Sequence, residues 1–444
     1  MDTPDAGDKP GDKGGSSRAV TPPVAARPQK SQPLPNGAKA HKRRKRKRGR
    51  KVFAQDAQGS GAPKADKGPS GATAQPDGLS TSQPRPAPTA SSALDKRTQS
   101  RRPVTTGTNA PQQPLYAALD LGTNNCRLLV AAPTRPGQFR VVDAFSRIVR
   151  LGEGLSANRR LGDDAMRRAI EALAICAGKL RSKRVRLHRL IATEACRSAE
   201  NGEEFLDRVE RETGLKLEII NRETEARLAV SGCGSLVEQD VEAVVLFDIG
   251  GGSSEIALID LAGGRTPRLA NHIVSWTSLP VGVVSLAERF GGRDVTPEIF
   301  EAMIQDVSGM LASFDGKEKL GSRAAGRGFH LLGTSGTVTT LAGVFLGLER
   351  YDRRRVDGLW LNNDDVDAMT ARLLSWDFPT RVANACIGAD RADLVLAGCA
   401  ILEAIRRQWP SERLRVADRG LREGILTELM ASDGAWRRGR RLYR

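Results

Sequence analysis

Two stretches of this 444-residue chain share one form, and that repetition limits the possible folds more than any other feature. In the first, the apolar run Leu115-Tyr116-Ala117-Ala118-Leu119 ends in Asp120. The turn Leu121-Gly122-Thr123-Asn124-Asn125 follows, and a new run opens at Cys126. In the second, Val244-Val245-Leu246-Phe247 ends in Asp248, the turn Ile249-Gly250-Gly251-Gly252-Ser253-Ser254 follows, and Glu255 opens the run 256–259. Short apolar runs bounded by turn residues predict buried strands. Asp120 and Asp248 stand 128 positions apart, too far for a short solenoid repeat and suited to two similar domains facing each other. Glycines let a turn take positive φ with no Cβ in the way, so that backbone N–H groups converge on an anion. A carboxylate beside such a cradle is electrostatically odd unless a cation or a water lies between.

Between and after the two copies, strands alternate with amphipathic helices, which predicts an α/β fold with mixed sheets and flanking helices. A helix is expected from Asp163, with Met166, Ile170, Leu173, Ala174 and Ala177 on one face. Asn201 and Glu204 have capping-box spacing, and Gly214 closes that helix. Segments 186–193 and 215–220 read as strands, the second leading towards a helix that begins just after Glu225. Thr296-Pro297-Glu298 starts another helix. A third polar turn, Gly333-Thr334-Ser335-Gly336-Thr337, precedes a further helix. Neither a Walker A lysine nor an intact dinucleotide fingerprint is present, which argues against those two phosphate-binding classes.

The net charge of +17 is concentrated at one end. Residues 1–110 hold 22 of the 69 Lys and Arg but only 8 of the 52 Asp and Glu. Rich in Pro, Gly, Ser and Ala, residues 1–112 bury too little apolar surface to offset chain entropy and are expected to be a disordered basic tail. Within it, Lys42-Arg43-Arg44-Lys45-Arg46-Lys47-Arg48, with Arg50 and Lys51, would attract RNA, polyphosphate or another polyanion, or stay a solvated tail. No apolar run approaches the roughly 18 residues of a membrane span, and no hydrophobic leader opens the chain. Six scattered cysteines without a Cys-x-x-Cys pair fit a reducing, cytoplasmic setting better than a zinc site or a disulfide framework.

These motifs, in this order, resemble the exopolyphosphatase/guanosine pentaphosphate phosphohydrolase (Ppx/GppA) family of the actin-like ATPase superfamily. The likeness covers about residues 115–430. It rests on the two Asp-containing turns, Ala192-Thr193-Glu194-Ala195-Cys196-Arg197, Glu225-Ala226-Arg227-Leu228 and the Gly333-to-Thr337 turn. Arg391-Ala392-Asp393 and Asp418-Arg419-Gly420-Leu421-Arg422-Glu423-Gly424 add to it. The resemblance implies two actin-like (ribonuclease H-like) lobes around a central cleft, one over residues 113–236 and one over 237–444, with the last helices returning to the first lobe.

It further implies Mg²⁺-dependent hydrolysis of a terminal phosphoanhydride. Glu225 would be the general base. Asp248 and Glu255 would be metal-associated carboxylates, and Asp120 would orient its turn or a metal-bound water. Gly122, Thr123, Asn124, Gly250, Gly251, Gly252, Ser253, Gly333, Ser335 and Gly336 would hold phosphate, and Arg197 would brace it from the edge of the cleft. The substrate is inorganic polyphosphate or guanosine pentaphosphate. A guanosine tetra- or pentaphosphate sensor without turnover is the non-enzymatic alternative, and sugar-kinase chemistry is disfavoured for want of an acceptor signature. A homodimer is implied by likeness alone. Two departures stand out: residues 331–444 contain no His, so the short two-lobed form without the His-Asp helical domain of longer members is expected, and Glu194 would place an extra acid near the substrate.

Overall fold

The computed structural model describes residues 113–438, so the basic tail expected over 1–112 lies outside the described residues. Eleven strands form two sheets among these residues. The first contains β1 (Tyr116–Leu121), β2 (Asn125–Pro133), β3 (Phe139–Ile148), β4 (Leu187–Ala192) and β5 (Glu218–Ile219), in the order β3-β2-β1-β4-β5. The second contains β6 (Ala243–Ile249), β7 (Ser254–Asp260), β8 (Ile273–Leu279), β9 (Phe329–Thr334), β10 (Trp360–Asn362) and β11 (Arg413–Ala417), in the order β10-β11-β9-β6-β7-β8.

The repeat seen in the sequence is a repeat of topology. In each sheet an antiparallel meander (β1-β2-β3, β6-β7-β8) is extended on the far side of its first strand by two parallel strands, and in the second sheet β10 closes the edge antiparallel to β11. β1 and β6 are therefore central, paired on both edges and covered on both faces. That is why their sequences are continuous apolar runs rather than alternating ones. Along each strand the one position not fully buried is its aspartate, Asp120 or Asp248. This is the mixed α/β architecture that the family resemblance implies.

Each sheet has an outer and an inner layer. Helices Asp163–Lys183 and Gly202–Thr213 cover the outer face of the first sheet, and Pro297–Ala312 and Val395–Gln408 cover that of the second. Two further helices fill the inner side. Arg222–Cys233 contributes Ala229, Val230 and Cys233 to the second sheet's inner core. Leu421–Ser432 returns from the end of the chain and packs Leu421, Ile425, Leu426 and Met430 against Tyr116, Ala118 and Ile191. The last long helix thus belongs in space to the first sheet.

Local departures from the sequence reading have simple causes. Only Glu218 and Ile219 of the segment 215–220 pair as a strand. Asn201 precedes its helix but does not cap it; its amide exchanges two hydrogen bonds with the backbone of Leu161, at 2.8 and 3.1 Å, and ties down a loop instead. Gly214 does end that helix in the left-handed region (φ 71°), and Thr296 caps the helix that follows it. No helix among the described residues is long and apolar enough to cross a membrane.

The two inner helices cross at glycines. A Cβ on Gly232 would lie 2.0 Å from the Gly420 carbonyl oxygen, and one on Gly424 would lie 2.0 Å from that of Leu228. Gly424→Ala should therefore destabilise the protein by about 3 kcal/mol in a denaturant titration, because backbone must move. Gly178→Ala, on an exposed helical face where a Cβ meets nothing within 4 Å, should instead stabilise by about 0.5–1 kcal/mol. Equal effects at the two sites would contradict this reading of the crossing.

Candidate active site

The ends of β1 and β6 face one cleft of about 610 Å³. The two turns leaving those strands are closed by the same bond, Gly122 N–H to the Asn125 carbonyl and Gly250 N–H to the Ser253 carbonyl, each 2.9 Å. They interlock: a Cβ on Gly251 would come within 2.9 Å of Thr123 Cβ, and one on Gly252 within 2.8 Å of Thr123 Oγ1. None of Gly250, Gly251 and Gly252 has positive φ. Gly251 and Gly252 are there for close approach to the other turn, and Gly250 for the Ser253 carbonyl of its own turn, not for the left-handed backbone expected from the sequence.

The backbone N–H groups of Thr123, Asn124, Gly251 and Gly252 donate to no acceptor among the described residues. The first-turn N–H groups of helix Gly336–Phe345, which lie on the same cleft, are also without intrahelical partners. Such convergent donors suit an anion. Ser335, just before that helix, sits at φ 84°, a strained position for a residue with a side chain. Its hydroxyl donates to the Ile249 carbonyl at 2.6 Å, joining this turn to that of β6.

Six carboxylates line the cleft: Asp120, Glu194, Glu225, Asp248, Glu255 and Asp418. Withdrawal from water, reinforced by the charges of Glu255 and Asp120, pushes Asp248 up to about 7. Burial likewise raises Asp120, against the pull of Arg127 and Arg422. Glu255 is raised by burial, although Ser253 and Ser278 donate to it at 2.7 and 2.9 Å. Glu225 is held well above the usual carboxylate range by burial and by the Glu255 charge, only partly offset by Arg197. It lies within the first turn of helix Arg222–Cys233, not before it, with Asn221 as the cap accepting from Thr224 N–H at 2.8 Å.

Among the described residues, no three His, Cys, Asp or Glu side chains converge closely enough to hold a metal unaided. The donor set nevertheless fits Mg²⁺, which keeps several waters and takes one or two carboxylates plus phosphate oxygens. Carboxylates that raise one another's pKa are the environment in which a cation is favoured.

Five arginines line the cleft; Arg353 is paired with Asp418 and Glu423 and Arg419 with Asp357, which leaves three others, Arg127, Arg391 and Arg422. None forms an ion pair or side-chain hydrogen bond among the described residues. Sequence reasoning gave them no role, yet a signal existed for one. In the hairpin register Arg127 stands across from Asp120 as Glu255 stands across from Asp248. The position that carries an acid in the second copy carries a guanidinium in the first.

Two expected phosphate contacts do not line the cleft. Gly333 lies inside β9, where a Cβ would strike Phe247 at 2.6 Å, so its glycine serves sheet packing. Arg197 sits behind the cleft wall. Its Nε donates to Glu194 (3.0 Å), its Nη1 to the Ile220 carbonyl (2.6 Å) and its Nη2 to both Glu194 and Glu225 (2.5 and 3.0 Å). With its donors so engaged it holds Glu225 from behind. Glu194, the extra acid, is answered by Arg222, Ser198 and Arg197, which together outweigh its burial and lower its pKa. It places little unbalanced charge near a substrate. The other expected residues, Gly122, Thr123, Asn124, Gly250, Gly251, Gly252, Ser253, Ser335 and Gly336, all line the cleft.

Residues 130–433 match the Ppx/GppA phosphatase family. A putative exopolyphosphatase of Haemophilus influenzae is 29% identical over 316 residues, covering 70% of this chain and 90% of that protein. A guanosine-5'-triphosphate,3'-diphosphate pyrophosphatase of Photobacterium profundum is 28% identical over 337 residues, covering 72% of this chain and 60% of that protein. Among solved structures, an exopolyphosphatase-like protein superposes with a TM-score of 0.63 at 28% identity, covering 72% of this chain and 99% of that one. The Aquifex aeolicus member of the Ppx/GppA family gives a TM-score of 0.57 at 28% identity, over 72% and 98% of the respective chains.

The carboxylate cluster makes stability depend on pH. Between the ordinary aspartate value of 3.8 and about 7 the folded chain holds the Asp248 proton more tightly than the unfolded one does. The contribution of Asp248 to stability therefore falls as pH rises through that window, and the penalty is complete above it. Asp248→Asn should raise the melting temperature by a few degrees at about pH 8, and by less at about pH 5. A gain independent of pH would exclude this origin.

Proposed function

The chain belongs to the Ppx/GppA phosphatase family, and from that premise we propose that it hydrolyses the terminal phosphoanhydride of inorganic polyphosphate, releasing orthophosphate. The observation that carries this reading is the coexistence, in one cleft, of unspent backbone donors, three unpaired arginines and a buried carboxylate fixed from behind by a guanidinium. The donors and arginines suit the oxygens of a phosphate chain. Phosphoryl transfer needs positioning and charge stabilisation more than covalent help from the protein.

Glu225 is assigned as the base. Arg197 occupies one face of its Oε2, and the remaining lone pairs are left to orient a water and accept its proton as the water oxygen attacks the terminal phosphorus. The bridging P–O bond breaks, and charge gathers on the oxygen of the penultimate phosphate, which the turn N–H groups and Arg127, Arg391 and Arg422 are placed to receive. Asp248 and Glu255, with Asp120 nearby, would hold Mg²⁺; when bound, it would supply charge neutralisation between phosphate oxygens.

A second reading is hydrolysis of guanosine pentaphosphate. It is favoured by the wall formed by Tyr351, Cys386, Ile387, Leu394 and Val395, an apolar and aromatic surface that a phosphate chain does not need. The comparison of kcat/KM on polyphosphate and on guanosine pentaphosphate separates the two, and absence of phosphate release from either sinks both. The reading also includes a cytoplasmic setting and a homodimer.

Glu225→Gln should lower kcat by about 10²–10⁴-fold with little change in KM, because the base acts in the transition state. Undiminished turnover would remove Glu225 from the mechanism. The cluster 42–51 is assigned to polyanion contact, RNA included, on charge alone. Deleting residues 1–110 should weaken binding of long polyanions at low salt while sparing turnover of tripolyphosphate. Binding that ignores salt, or an equal loss on tripolyphosphate, would count against that assignment.

A further inference from the structure

Away from the cleft, β11 carries a second concentration of positive charge. Arg413 and Arg415 leave the strand on the same face, since side chains alternate. Both guanidiniums lie over the indole of Trp360, 4.4 and 4.5 Å from the ring centroid. Trp360 stands opposite Arg415 on the edge strand β10. The ring attracts each cation and fixes its plane, but two like charges on one ring also repel.

The protein's own acids do not neutralise the pair. Glu238 reaches only Arg415, at 3.4 Å, and Arg413 has no ion pair or side-chain hydrogen bond among the described residues. The Nε of Arg415 is buried with no acceptor. Beneath them His330, fully buried and edge-on to Trp360 at 5.0 Å, offers no counter-charge. Burial and the two arginines push its pKa down to about 4, so it is neutral at pH 7. The pair has the composition of an anion site whose counter-charge comes from elsewhere.

The strand connects this pair to the cleft. Past Ala417 the chain continues into Asp418 and Arg419, both of which line the cleft. At about 3.3 Å per residue, Arg415 is roughly 13 Å from Arg419 and Arg413 roughly 20 Å. Asp357 receives Arg419 Nε at 3.0 Å, and after burial the charges of Glu238, Arg413 and Asp357 are what Arg415 feels. Arg419 is thus taken up by Asp357, while Arg413 and Arg415 lie on the strand whose end enters the cleft there.

We propose that Arg413 and Arg415, held by Trp360, form an outer site for the non-reacting part of a long phosphoanhydride chain whose terminal phosphate lies in the cleft. This rests on the polyphosphate reading above. Guanidiniums accept several phosphate oxygens at once and tolerate any register along a uniform chain. The site would select for chain length, since a short substrate ends before reaching it.

The test compares the full chain with Arg413→Glu on tripolyphosphate and on long-chain polyphosphate. Arg413 takes part in no internal ion pair, so the change removes none; a matching melting temperature checks the fold, and Arg413→Gln gives a milder change in the same direction. The ratio of kcat/KM on the long chain to that on tripolyphosphate should fall about tenfold, and the salt slope of long-chain binding should shrink by about one. Binding of long-chain polyphosphate in the Glu225→Gln background, read by fluorescence anisotropy, needs no turnover. If the enzyme hydrolyses only guanosine pentaphosphate, the functional reading fails while weaker anisotropy binding in the Arg413 variant still supports the outer site. Unchanged ratio and unchanged binding overturn the proposal, as does a variant that loses RNA binding and keeps that of polyphosphate.

Discussion

The close crossing of helices Arg222–Cys233 and Leu421–Ser432 is the contact on which the rest of the molecule depends. Each helix serves the inner face of a different sheet, and they meet where Gly232 lies against Gly420 and Gly424 against Leu228. With no Cβ at either glycine, backbone packs on backbone, which leaves little room for sliding. Glu225 lies one turn before Leu228 and Arg422 two residues before Gly424, so the same contact sets a carboxylate and a guanidinium at the cleft. The Thr123 turn against Gly251 and Gly252 closes the opposite side. At the rim, Arg150 reaches both carboxylate oxygens of Asp393, at 3.0 and 3.1 Å.

A cleft fixed in this way can hold charges that a looser one would hydrate. Asp120, Glu225, Asp248 and Glu255 are all shifted towards the neutral form. Burial is the first cause in each, and mutual repulsion adds to it for Asp248 and Glu225. Arg127 is lowered for the same reason, by burial and by Arg422. Uncompensated charge of both signs is a poor way to stabilise a fold and a good way to prepare a site for an anionic substrate accompanied by a cation. Glu194 shows the contrast: a buried acid answered by two arginines and a serine is electrostatically settled, and it organises Arg197.

Much of the site was legible because its residues sit at the ends of the most recognisable elements. An apolar run that ends in an acid and a glycine turn marks a central strand opening onto a cleft, and β1 and β6 both do so. What escaped was anything set by partners distant in the chain. In the turn at 250–252, Gly250 answers to the Ser253 carbonyl of its own turn, but Gly251 and Gly252 answer to Thr123, more than a hundred residues away. Gly333 resembled a loop glycine but faces Phe247. Asn201 had the spacing of a cap and was taken by Leu161. Arg391 and Arg422 stand in the recognised motifs, yet their freedom from ion pairs depends on what surrounds them in three dimensions.

The sequence alone determined the duplication, the strand-and-turn grammar of both lobes, and the carboxylates that meet in the cleft, because buried strands and tight turns impose residue types locally. Only the tertiary structure decided that Arg197 backs Glu225, that Arg127, Arg391 and Arg422 are left without ion pairs among the described residues, and that Arg413 and Arg415 share one indole. Hydrogen-bond partners, desolvation and charge balance are properties of neighbours in space, and a linear pattern does not carry them.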